Sequence, residues 1–201
     1  MMALEYVEAY SYRAFEEFNR QEFDEALGSL EKALSFDPAS KIALLLRSDV
    51  RMATNQHRRA IHDMNLLLRN HPDCVAALFR RAEARLNLGH WHAALRDYAE
   101  ILELDPRNTS ALHLRAIVLV ERRKLPRALL DLDRLLSLEP DHAEGRINRG
   151  FVRFMLDDLN GARGDLERIA ALPQAESAAR RSAARLLRHI LGLLDRRITL
   201  E

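Results

Sequence analysis

The residues able to do chemistry are few, and their spacing does not suit catalysis. His90 and His92 flank Trp91, while His57 and His62 stand five apart, which places them on different faces of a helix. Metal-binding histidine pairs share a face at a spacing of about four. Cys74 and His71 offer a nucleophile and a base, but no third group is at hand to orient them. The seven glycines are scattered, so no phosphate-cradling loop is written in the sequence. These patterns point to no enzyme, no metal and no cofactor. What does recur is charge. Arg13, Arg47, Arg81, Arg115 and Arg149 are followed, sixteen residues later, by Ser29, Asp63, Asp97, Asp131 and Asp165. A guanidinium in a helix interface needs a carboxylate, because an unpaired buried charge costs several kcal/mol. The alternative is a ladder of arginines that reads phosphates or an acidic ligand. Structural ion pairs are favoured because the aspartates track the arginines. Pairing within each unit gives all four aspartates a partner, whereas pairing with the next unit leaves Asp165 with none. Arg13, opposite Ser29, stands apart.

The elements that must hold these pairs are legible from a second periodicity. Pro38, Pro72, Pro106 and Pro140 are 34 residues apart, and Ala26, Ala60, Ala94, Ala128 and Ala162 keep the same step. So do the small residues Ala14, Ser48, Ala82, Ala116 and Gly150 and the bulky Leu30, Met64, Tyr98, Leu132 and Leu166. Each unit holds two apolar-periodic segments separated by a short turn near Asn55, Gly89 or Asp157, and a proline then stops the second helix. With 48% hydrophobic residues over 201 positions but only seven Gly, six Pro and 6% aromatics, the apolar mass is Leu and Ala, the composition of helices. One hairpin of this kind cannot bury both its faces, so neighbours must stack.

Unit by unit the chain resembles the tetratricopeptide repeat (TPR) family. In the first unit the family's small residue falls on Ala14, its aromatic on Phe23, its two alanines on Ala26 and Ala33, and its proline on Pro38. The third unit matches at Ala82, Gly89, Trp91, Ala94, Tyr98 and Pro106. The resemblance implies an all-α fold, a right-handed α-α superhelix of five helix-turn-helix repeats over residues 7–40, 41–74, 75–108, 109–142 and 143–173. Residues 174–201 would form an amphipathic C-terminal capping helix.

The resemblance also implies that ligands lie on the first helix of each unit, in a concave groove that collects Leu45, Asp49, Phe79, Glu83, His113, Ile117, Ile147, Phe151 and Phe154. The lysines and asparagines with which some family members clamp the acidic tails of chaperones are missing from these positions, which disfavours that partner. The groove is apolar with acidic spots and suits a peptide or a partner helix. Two rival readings are self-association through the terminal helices, prompted by Tyr10, Tyr12, Phe15 and Phe18, and docking of nucleic acid or an acidic surface on Arg181, Arg185, Arg188 and Arg196. A net charge of +1, despite 28 Arg against three Lys, weighs against a nucleic-acid binder. A single cysteine and the lack of a long apolar run or a secretory pattern point to a cytoplasmic protein without a membrane span. The expected role is a non-enzymatic scaffold or adaptor.

Overall fold

The computed structural model describes residues 2–171 and 177–198, with side chains for 4–169, 178 and 181–192. Among these residues every regular element is a helix: α1 (Met2–Asn19), α2 (Phe23–Phe36), α3 (Lys41–Ala53), α4 (His57–Asn70), α5 (Val75–Asn87), α6 (Trp91–Leu104), α7 (Thr109–Glu121), α8 (Leu125–Leu138), α9 (Ala143–Met155), α10 (Leu159–Ala171) and α11 (Ser177–Ile198). The chain forms two compact units, Met1–Pro106 and Arg107–Glu201. In the first, three hairpins stack, α1–α2, α3–α4 and α5–α6, so that α1, α3 and α5 stand side by side. The second holds the hairpins α7–α8 and α9–α10, with α11 against α9 and α10.

Each hairpin turns in the same way. The first helix ends on a residue in the left-handed region: Gln21 (φ 63°), Asn55 (57°), Gly89 (74°), Arg123 (56°) and Asp157 (68°). The next residue then donates its N–H back five positions, as in Gln56 to the Arg51 carbonyl (2.7 Å) and Lys124 to that of Leu119 (2.8 Å), which satisfies a carbonyl left over at the helix end. Only Gly89 adopts this conformation without a Cβ penalty. Gln21 and Arg123 keep the 34-residue step although nothing in their type announces a turn.

The second helix of each of the first four hairpins stops before proline, where Asp37, Asp105 and their counterparts leave helical angles, and α3, α7 and α9 are then capped by a side chain. Asn108 accepts from the Ala111 N–H (3.0 Å), and His142 does the same for Gly145 through Nδ1 (3.0 Å).

Inside each hairpin the periodic small residues set how close the helices come. Ala14, Ser48, Ala82 and Ala116 are fully buried, as are Ala26, Ala60, Ala94, Ala128 and Ala162 opposite them. Gly150 marks the limit of this approach, since a Cβ there would lie 3.2 Å from Leu166 Cγ.

The arginine–aspartate pairs cross this same interface. Arg47 Nη2 lies 2.6 Å from Asp63, Arg81 Nη2 2.7 Å from Asp97, Arg115 Nη2 2.6 Å from Asp131 and Arg149 Nη2 2.6 Å from Asp165. A second arginine, one turn further along the first helix, joins three of them: Arg51 on Asp63 (2.5 Å), Arg85 on Asp97 (2.5 Å) and Arg153 on Asp165 (2.8 Å). The fourth hairpin has Leu119 there instead. Asp165 also receives Arg146, whose guanidinium donates to the Pro140 carbonyl as well. Two of the ladder arginines reach back to the hairpin before them, Arg81 to Asn65 Oδ1 (3.1 Å) and Arg149 to Asp133 Oδ1 (2.9 Å).

The first hairpin satisfies the constraint with the charge moved. Glu17 occupies the site of the second arginine, takes Arg13 at 2.7 Å and accepts the Ser29 hydroxyl at 2.7 Å. Burial pushes the Glu17 carboxyl upward, but the Ser29 and Arg13 bonds outweigh it and hold the group below its usual range. The Arg13 side chain stays 64% exposed, against 15% for Arg47.

Two outcomes follow. Asp97→Ala leaves Arg81 and Arg85 without their shared carboxylate and should cost about 3–5 kcal/mol in a urea melt, whereas an unchanged melt would contradict a buried pair. Arg123→Gly relieves the left-handed residue and should stabilise by about 0.5–1 kcal/mol on the same measurement; a loss of stability would show that the side chain, not the backbone, matters there.

Candidate functional site

Along α1, Glu8, Ser11, Tyr12 and Phe15 recur at steps of three, one and three, and along α3 Ile42, Leu45, Leu46 and Asp49 do the same. That spacing puts each quartet on one helix face. The two faces, with Arg80 of α5, line a cavity of about 550 Å³. Its walls are mostly apolar, and three of the lining side chains remain open to solvent: Tyr12 is 68% exposed, Ile42 62% and Phe15 49%. At one side Arg80 grips Asp49 with two parallel bonds, Nε to Oδ1 at 2.5 Å and Nη2 to Oδ2 at 2.8 Å. This bidentate bond to Asp49 raises the Arg80 pKa further, against the opposing effect of burial. Ser11, only 4% exposed, has a hydroxyl with no hydrogen-bond partner.

Of the residues expected in the groove, Leu45 and Asp49 meet in this cavity. Phe79 is half-buried with its ring 6.1 Å from that of Tyr98, and Glu83 is exposed on the same helix. In the second unit Ile147 and Phe154, both partly buried, pack against the buried cluster of Leu159, Ala162, Leu166, Ile169, Ala183 and Ile190 that seats α11. Phe154 also meets His189 edge-on at 5.5 Å. His113 is half-buried, 3.0 Å from the Asn148 amide and 4.9 Å from the His142 ring. Burial first, and then His142, push its pKa down, with Glu144 opposing. Ile117 is half-buried, and Phe151, 39% exposed, lines a recess of about 340 Å³ with Val120, Glu121, Arg123, Leu125 and Met155.

The ladder residues Arg47, Arg81, Arg115 and Arg149 spend their guanidiniums on Asp63, Asp97, Asp131 and Asp165 and so do not form a row of free cations. On α11, Arg181, Arg185 and Arg188 are exposed, and the side chain of Arg196 lies outside the described residues. Among the described residues no three His, Cys, Asp or Glu groups are placed to hold a metal, and no helix is long and apolar enough to cross a membrane.

Glu8, Ile42, Leu46 and Arg80 escaped the sequence reading. Their signal was present, one helical turn or one residue from Ser11, Leu45 and Phe79, and the periodicity of α1 and α3 marks them once the face is known.

Sequence profiles described as tetratricopeptide repeat match residues 114–191 in one case and 45–109 and 79–129 in another. No curated protein is similar enough to count as a match. Among solved structures, a tetratricopeptide repeat protein from Parabacteroides merdae superposes with a TM-score of 0.80 at 18% identity, covering 97% of this chain and 77% of that one. YrrB, a TPR protein with an unusual peptide-binding site, gives 0.69 at 19% identity over 86% and 89%. The first TPR of Spaghetti (RPAP3), bound to the HSP90 peptide SRMEEVD, gives 0.54 at 24% identity over 57% and 90%. The periodic core, the repeated hairpin turn and the family profiles describe one all-α helical-repeat architecture, and the chain belongs to the tetratricopeptide repeat family.

Proposed function

We propose that this chain is a non-enzymatic protein-interaction module that holds a peptide or a partner helix on the side formed by α1, α3 and α5. The observation that carries the reading is the cavity of about 550 Å³ walled by Tyr12, Phe15, Ile42, Leu45 and Leu46. An apolar recess fixed on three packed helices offers an anchor for a side chain at little cost in ordering, the arrangement that concentrates binding energy in a few contacts. Two structurally similar proteins are described as binding peptides, which supports the reading without fixing the mode.

A second reading, self-association, rests on the outer edge of α1. Ala9 is exposed there, whereas Ala43 and Ala77, at the same step in the next two hairpins, are fully buried. Beside it Tyr6 (48% exposed) stacks on Phe36 (44% exposed) at 5.0 Å.

Random dodecapeptides selected by display on the wild-type protein separate the two readings. Leu45→Glu, at a half-buried cavity position, should keep the helical far-UV spectrum of the wild type and weaken the selected peptides at least about tenfold. Peptides that bind both proteins equally, together with a mass that rises with concentration in light scattering, would favour the second reading over the first.

A further inference from the structure

The sign of charge around the cavity decides what can enter it. Arg80 is the cation that reaches the lining, and its planar fork is spent on both oxygens of Asp49. Asp49 thereby offsets the Arg80 charge, which weakens its pull on a carboxylate from a partner, and Nη1 is directed at the Ala76 carbonyl at 3.5 Å. Glu8 adds an exposed carboxylate to the lining, and Glu83 stands one turn from Arg80 on α5, close enough to act on its charge. The lining thus carries two carboxylates, Glu8 and Asp49, against one guanidinium, with Glu83 beside the latter on α5. The first 106 residues carry 17 acidic against 13 basic side chains, so the surroundings reinforce this sign. Screening over about 8 Å at physiological salt leaves the charges nearest the cavity in control.

Tyr12, Phe15, Ile42 and Leu45 line the recess and would enclose the side chain of an entering segment, while the Ser11 oxygen lies covered beneath them.

Building on the interaction reading above, we propose that this cavity selects a partner segment in which an apolar side chain is accompanied by a nearby Arg or Lys, and that Asp49 sets this preference by occupying Arg80. The apolar side chain fills the recess, and the cation meets Glu8 and the outer edge of the Asp49–Arg80 pair. An acidic segment such as SRMEEVD would bring its carboxylates to a rim that is already negative.

The test repeats the dodecapeptide selection on the wild-type protein, Asp49→Asn and Glu8→Gln, with Leu45→Glu as the control for cavity binding. The wild type should enrich an aromatic or aliphatic residue with Arg or Lys within about one helical turn, and the binding of that peptide should weaken with added salt. Asp49→Asn frees Arg80, so it should bind the synthesised wild-type peptide about fivefold more weakly and enrich acidic residues instead. Glu8→Gln should weaken the same peptide without inviting acidic ones. Glu8 is exposed and the Asp49 side chain is 33% exposed, and a far-UV circular dichroism spectrum equal to that of the wild type establishes that each variant is folded before binding is compared. Leu45-dependent peptides that lack a cation, or an unchanged preference in Asp49→Asn, overturn the inference alone. The absence of any Leu45-dependent peptide overturns the interaction reading and this inference together.

Discussion

A carboxylate shut between two helices must be met by cations, and that requirement organises the chain. Asp63, Asp97, Asp131 and Asp165 each sit in a helix interface with at most 9% of the side chain exposed, and each is gripped by the arginine of its own hairpin. Replacing such a pair by apolar groups can be neutral, so its value lies less in net stability than in what it forbids. A hairpin that slips by one residue, or a neighbour that docks out of step, strands a buried charge. The reach of Arg81 to Asn65 and of Arg149 to Asp133 extends that control from within a hairpin to the contact with the one before it. The first hairpin shows the constraint to be chemical, not a matter of fixed residues: Glu17 and Ser29 satisfy it with the carboxylate carried on the other helix.

This arrangement has a functional consequence. A chain with 28 arginines would ordinarily show cationic faces, yet the ladder withdraws many of them into helix interfaces. On the α1–α3–α5 side the same economy continues at the surface, where Asp49 holds Arg80. What is left there is apolar wall with a negative rim. The exposed cations Arg181, Arg185 and Arg188 stand on α11, in the other compact unit.

Much of this is legible in the sequence, because steric demands repeat with the chain. Small residues at positions such as Ala14 and Ala82 and the prolines after the second helices recur because close helix approach and a helix stop recur, and their period gives the hairpins directly. The turn was legible at Gly89 and Asn55 but not at Gln21 or Arg123, since there the helix-end hydrogen bonds impose a left-handed residue that the side chain does not advertise. Arg51, Arg85 and Arg153 were hidden for another reason: they take part in the buried pairs, yet an arginine one turn beyond another reads as solvent-facing. The groove was the least legible part. Leu45 and Phe154 are both apolar residues on first helices, and only the neighbours decide that one lines a cavity while the other is packed beneath α11. Sequence periodicity reports which face a residue lies on, not what covers it.

The Arg–Asp pairs are coupled inside the helix interface and do not act as surface charges. A double-mutant cycle on Arg81 and Asp97, with alanine at each position and stability read from urea melts, measures that coupling directly. The buried geometry predicts a coupling free energy above about 2 kcal/mol, with the double variant less damaged than the sum of the singles. A coupling of about 0.5 kcal/mol or less, the size found for exposed pairs, would contradict it.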